Sequence, residues 1–188
     1  MAQTDKQLVE EFLTGNDLSF EILVKKYLKP VYNFIYHLVN DLSIVDDLTQ
    51  ITFLKAWKNI RRFDLEKDFK VWLFAIAKNT AYDYWKKKKT LSFALFENED
   101  GSNKLENIAE DKILPDEVLM RMELSGELEE KIKLLDKKYR LILFMRYSDD
   151  FSLNEIAEIL KLTYNTVKSQ HRRALDALRK SFDKDLHP

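Results

Sequence analysis

Glycine and proline supply the tight turns of β-proteins and the loops that cradle phosphates, and this chain has almost none of either. Its 188 residues include three Gly and three Pro, where average usage would give roughly twenty. Sandwiches and barrels need many such turns and doubly wound folds need glycine loops, so neither is expected. With 45% apolar and 34% charged residues, the chain can bury a core and remain soluble. The composition predicts an all-α protein, either one ordinary domain or two small ones.

The absence of cysteine excludes disulfide scaffolds, cysteine-ligated metal sites and thiol nucleophiles. The N-terminal stretch MAQTDKQLVEEFL is amphipathic and acidic, without the apolar core of a signal peptide. The longest apolar run, Val71–Ala77, is far short of the roughly 20 residues that span a bilayer. A reduced, cytoplasmic protein with no membrane insertion of its own is expected.

The net charge of −1 hides a segregation. From Lys67 to Lys89 seven lysines face Asp68 and Asp83, a local +5, and from Lys161 to Lys180 six Lys/Arg face Asp176, again +5. Between these blocks, Glu97 to Glu117 holds eight acids against Lys104 and Lys112, a local −6. Basic, acidic and basic blocks in that order suggest two polyanion-facing patches around a segment with another task.

The first half reads as helices with short breaks. Thr4 or Asp5 is expected to cap the first and Ser19 the second, with Pro30 starting or kinking the stretch after it. Ser43 is the expected cap of a helix to about Asn59, with Asp46 and Asp47 in its first turn. A further helix from about Lys67 to Lys89 packs through Trp72, Leu73, Ile76, Ala77, Thr80 and Tyr84. Residues 92–116 are acidic, lack a helical period and read as a linker. The division is therefore 1–91, linker 92–116, and 117–188.

The most specific local pattern is FSLNEIAEILKLTYNTVKSQHRRALDALR. Ser152 can cap a short helix carrying Ile156, Ala157 and Leu160; Lys161-Leu162-Thr163 then turns into a second helix with Val167 inward. This spacing fits a helix-turn-helix better than an ordinary helical hairpin. Thr163 would cap the second helix, sending Asn165, Thr166, Lys168, Ser169 and Arg172 toward a groove, where they can reach phosphates and base edges. His171 is read as a surface contact on the same helix, and Arg173 joins its basic set.

In FKVWLFAIAKNTAYDYWKKKK, residues 69–89, Asn79, Tyr82 or Asp83, and Lys86 share one helical face. Together with Lys70, Lys78, Trp85 and Lys87 they mix aromatic surface with lysine, the combination that stacks and neutralises single-stranded nucleic acid. In SIVDDLTQITFLKAWKNI, residues 43–60, Asp46, Asp47 and Gln50 cluster beside apolar Leu48, Ile51, Leu54 and Trp57. Such a face is either solvated or docks a basic partner. His37, His171 and His187 are scattered, with no metal-ligand spacing, P-loop or nucleophile elbow. No catalytic residue, cofactor or metal is expected.

Together, FEILVKKYLKPVYNFIYHLV at 20–39, DDLTQITFLKAW at 46–57, WLFAIAKNTAYDYWKKKK at 72–89 and the helix-turn-helix at 152–179 resemble a bacterial RNA polymerase sigma factor. The resemblance is to the sigma-70 superfamily, in its small extracytoplasmic-function (ECF) group, and covers almost the whole chain. It implies a non-catalytic specificity subunit that binds core RNA polymerase through Asp46, Asp47, Gln50, Phe53 and Leu54. The basic helix would capture the promoter −10 element as melted strand, and the helix-turn-helix would read the −35 element as duplex. An anti-sigma factor, often membrane-anchored, is the implied regulator. Elements roughly 25 steps apart lie some 85 Å from each other along the duplex, and the linker, spanning at most about 80 Å, lets two domains of finite width reach both.

Three positions depart from the family pattern. Ile51 stands where the docking motif usually has an acid, Lys161 replaces the usual turn glycine, and Gln170 follows TVKS where Arg is usual. The last implies a shifted −35 preference. A free-standing helix-turn-helix regulator would explain 152–179 but leave the other motifs as coincidences, and an enzyme would lack any recognisable nucleophile–base spacing.

Overall fold

A computed structural model describes residues 3–88 and 131–186, with side chains up to Lys86 in the first stretch and up to Phe182 in the second. The linker expected at 92–116 lies outside the described residues. Every regular element among the described residues is helical: α1 (Asp5–Leu13), α2 (Asp17–Val39), α3 (Leu42–Asn59), a short 3₁₀ turn (Ile60–Arg62), α4 (Phe69–Lys88), α5 (Lys137–Tyr147), α6 (Leu153–Leu160) and α7 (Tyr164–Leu186).

Local chemistry sets most helix starts. Thr4 caps α1 in a capping box, its hydroxyl accepting from the Gln7 N–H at 3.3 Å while its own N–H donates to the Gln7 side chain at 2.9 Å. Helix α2 begins at Asp17 rather than at Ser19. Ser19 is buried within its first turn and donates to the Glu11 carboxylate at 2.5 Å, tying α2 to α1. Pro30 lies inside α2, which continues unbroken to Val39. Asn40 ends it in the left-handed region (φ 53°), a conformation asparagine tolerates well. Asp41, not Ser43, caps α3 by accepting from the Ser43 N–H at 3.1 Å. The helix therefore starts a residue or two early, and Asp46 and Asp47 fall beyond its first turn.

Helices α1 to α4 close around Val31, Phe34 and Ile35 of α2, Val45 and Ala56 of α3, and Leu73, Phe74 and Ala77 of α4, all fully buried. The Phe34 and Phe74 rings meet at 5.1 Å, an aromatic pair adding about 1 kcal/mol beyond its area. In the second half Leu143, Ala174, Leu175 and Leu178 form a smaller cluster of their own between α5 and α7.

The two halves also pack on each other. Helix α6 lies against α4, and α5 against α2. Phe151, just before α6, is fully buried and meets Phe74 edge-on at 4.8 Å. The His37 ring of α2 sits 4.1 Å from that of Phe144 in α5. Leu141, Ile142, Met145, Ile156 and Val167 join the first-half residues in one continuous apolar core.

Helix α6 starts in a second capping box, Ser152 with Glu155, and ends at Lys161 in the left-handed region (φ 57°, ψ 42°). There the Leu162 N–H donates to the Ala157 carbonyl at 3.0 Å, closing the turn. A non-glycine side chain in this conformation costs about 1 kcal/mol. Lys161→Gly is therefore expected to stabilise the fold by about 1 kcal/mol and raise the thermal unfolding midpoint. A lowered midpoint would show that the lysine is not strained.

Candidate nucleic-acid interface

Thr163 opens α7 as expected, its hydroxyl accepting from the Thr166 N–H at 3.1 Å and lying 2.8 Å from the Thr166 hydroxyl. Both threonine side chains are thus engaged in building the helix N-terminus. Val167, Gln170, Ala174 and Leu178 form the inward stripe. Asn165 and Lys168 are exposed on the opposite side, with Ser169 and Arg172 half-buried beside them. Arg173 is exposed on the flank.

His171 is not part of this face. Its Nε2 is 3.1 Å from the Tyr147 hydroxyl, the two rings are stacked, and burial followed by the charge of Arg146 lowers its pKa. The inward stripe and its neighbour at 171 face α5, so the ring serves helix packing and does not reach toward a groove. Gln170 is 5% exposed, with its Oε1 unpartnered among protein atoms. The departure at 170 is thus a buried one, on the inward stripe with Val167 and Ala174.

The basic helix α4 splits its expected contacts between two sides. Asn79, Asp83 and Lys86 are exposed together, and Tyr82 lies among lysines, with the Lys86 ammonium 4.6 Å and the Lys78 ammonium 5.4 Å from its ring. Asp83 pairs with Lys55 of α3 at 3.0 Å, so its carboxylate straps two helices and is not held out for nucleic acid. Trp85 is half-buried against the core. Lys70 points the other way altogether. Its ammonium donates to the Asp149 carbonyl and sits 4.1 Å from the Phe151 ring. The Lys87 side chain lies outside the described residues.

On α3, Asp46, Asp47 and Gln50 are exposed, and so are Leu54 (57%), Trp57 (51%) and Ile51 (40%). Three large apolar groups beside two carboxylates form an unsatisfied surface rather than a simply solvated one. Phe53, expected on this face, turns inward at 9% exposure and belongs to the core. Sequence reasoning also passed over Tyr164, an exposed aromatic at the first turn of α7, and the exposed pair Arg61-Arg62 after α3. An aromatic directly after a helix cap and a basic dipeptide at a helix end were the available signals.

The chain matches the family Sigma-70 region 2 over residues 23–90 and Sigma-70, region 4 over residues 125–178. It is 32% identical over 177 residues to the ECF RNA polymerase sigma factor SigW of Bacillus subtilis, covering 93% of this chain and 95% of that one. The chain belongs to the ECF sigma factors of the sigma-70 family. As a sigma factor it is the promoter-recognising component of transcription initiation. Its fold is shared with CnrH, solved in complex with the cytosolic domain of CnrY (TM-score 0.64, 22% identity, covering 97% of this chain and 99% of that one). It is shared also with the sigma factor RpoE of Bartonella quintana in complex with the anti-sigma factor NepR (TM-score 0.60, 21% identity, covering 87% and 96%). Among the described residues of the sigma factor, no helix is long and apolar enough to cross a membrane.

At the seam beside Lys70, Asp149 is 8% exposed and its Oδ2 has no partner among protein atoms. Burial pushes its pKa from 3.8 up to about 7, with Lys70 pulling it down and Asp150 pushing it further up. A carboxyl raised in the folded state contributes stability below its ordinary value, and that contribution is lost as pH rises through about 7. Asp149→Asn, neutral at every pH, should therefore gain stability over the wild type between pH 5 and pH 8, by about 2–3 kcal/mol. Urea unfolding at both pH values measures this, and an equal difference at the two would refute the buried ionisation.

Proposed function

We propose that the sigma factor divides its work among three helices and two domains, residues 1–91 and 117–188, with 92–116 as linker. The exposed face of α3, with Asp46, Asp47, Gln50 and Leu54, docks core RNA polymerase, and Ile51 and Trp57 extend its apolar part. Helix α4 takes up the melted −10 strand through Lys78, Asn79, Tyr82 and Lys86. The first turns of α7 read the −35 duplex through Asn165, Lys168, Ser169 and Arg172, with Arg173 on the adjoining backbone. The protein acts without catalysis, on the cytoplasmic side, and is held in check by an anti-sigma factor; the RpoE neighbour was solved in complex with one.

The observation that carries this reading is the start of α7. A capped helix N-terminus directs its partial positive charge, an amide and cationic side chains outward from a rigid two-helix frame. The α3 face adds the second requirement, a partly apolar surface that water alone does not satisfy.

Run-off transcription with sigma-free core polymerase on fragments of the source genome tests the reading, because specific transcripts should appear only when the protein is added. Lys168→Ala and Arg172→Ala should each lower transcription by about tenfold, the effect of losing a contact worth about 1–3 kcal/mol, and leave co-purification with core unchanged. Asp47→Lys should do the reverse, abolishing co-purification. Equal loss of polymerase binding in all three variants would refute the division of labour.

A further inference from the structure

Helix α2 buries one side and leaves the other bare. Leu23, Tyr27, Val31 and Phe34 enter the core, and Ser19 faces α1. On the outer side Leu18 is 67% exposed, Ile22 45% and Leu28 49%. Leu18, Glu21, Lys25 and Leu28 follow one another at three- and four-residue steps, so they form a single stripe along that side. Within it Glu21 and Lys25 pair at 2.7 Å, both side chains more than half exposed.

The stripe is antisymmetric about the level of Leu23. Leu18 stands five residues before that level and Leu28 five after it, while Glu21 stands two before and Lys25 two after. Asp17 and Lys29, six before and six after, extend the same pattern of acid first and base last. An antiparallel copy of the helix therefore presents leucine to leucine and base to acid.

We propose that this stripe is a self-association surface, on which a second copy of the chain seats its own α2 antiparallel about a two-fold axis at the level of Leu23. Leu18 then meets the copy's Leu28 and Glu21 meets the copy's Lys25, and both contacts repeat by symmetry, as an isologous interface requires. Other alignments fail. A parallel pairing sets Glu21 against Glu21 and Lys25 against Lys25, and sliding the antiparallel pair by one heptad sets leucine against a charged side chain. The antiparallel arrangement also opposes the two helix dipoles, and a net charge of −1 gives little repulsion between copies. The stripe is only about 15 Å long. It covers far less than the roughly 800 Å² per partner of a standard interface, so the dimer is weak, with a dissociation constant of about 10 µM to 1 mM. This association rests on no part of the promoter reading.

Sedimentation equilibrium of the full chain, from about 10 µM to about 1 mM, should show the mean mass rising from monomer toward dimer, and rising less as salt screens the charges. Glu21→Lys and Lys25→Glu should each weaken self-association by about tenfold or more, because each sets like charges across the axis. Mixed one to one, the two variants should associate again, since the basic stripe of one complements the acidic stripe of the other. Circular dichroism checks helix content throughout.

A chain that stays monomeric over the whole range overturns the proposal and leaves the stripe to a different protein. A dimer that both charge variants leave intact overturns it too, because the contact then lies on another face. Failure of the mixture to associate, when each variant alone is monomeric, overturns the antiparallel register. Should a charge variant lose helix content, Leu28→Ser decides. It keeps both charges and should still abolish the dimer, whereas an unchanged dimer overturns the stripe. Run-off transcription works at high dilution, far below this range, so its outcome and this one are independent.

Discussion

Helix α4 is apolar around much of its circumference, and the rest of the molecule is arranged to accommodate that. Leu73, Ala77 and Thr80 face α2 and α3, while Phe74 meets both Phe34 of α2 and Phe151 of the second half. A helix with a single apolar stripe is satisfied by one neighbouring layer. One with two needs a second layer or leaves large side chains in water. Phe74 is central because its ring is shared between the core of the first half and the seam. The position of the helix-turn-helix against the first half follows from this shared burial.

The same helix explains how charge and apolar surface coexist in the sigma factor. Its remaining strip, bearing Asn79, Asp83 and Lys86, points to solvent and is tied to α3 through the Lys55–Asp83 pair. That pair is exposed, so it contributes little to stability; buried side chains such as Ala56 of α3 and Leu73 and Ala77 of α4 hold the two helices together. The exposed faces of the two helices are thereby carried on one rigid body. Under the proposed function, a surface that docks a protein and one that holds a strand need such fixed relative placement, since ordering loosely held groups costs binding free energy.

What could be read from sequence divides along the reach of the interactions involved. The caps at Thr4, Ser152 and Thr163 were legible because each involves residues three apart in the chain. The left-handed Lys161 was legible for the same reason, as the closing residue of a tight turn. Ser19 misled because its hydroxyl is committed to Glu11 on another helix, a contact no local pattern records. Phe53, His171 and Lys70 each sat at positions that periodicity leaves ambiguous, near the edge of an apolar stripe. Their direction was settled by the core, by Tyr147 and by Asp149 respectively. The seam between the halves was invisible for a related reason, since the surplus apolar residues of α4 read equally well as a thicker core stripe.

The packing of the two halves, a closed form, also limits what could open it. Burying a phenylalanine fully is worth about 1.5–3 kcal/mol, so Phe151 favours packing of the halves by about that much, with a smaller share from the part of Phe74 that it covers, less the entropy of fixing Lys70. Shifting a two-state balance from 1:99 to 99:1 needs about 5.5 kcal/mol of differential affinity. The α3 face and the groove side of α7 are exposed while the halves are together. A ligand that touches only one of them binds open and closed forms alike and shifts nothing, however tight it is. Opening therefore requires a partner that takes the Lys70–Phe74 edge for itself, or one that engages both faces at a spacing the closed form cannot meet.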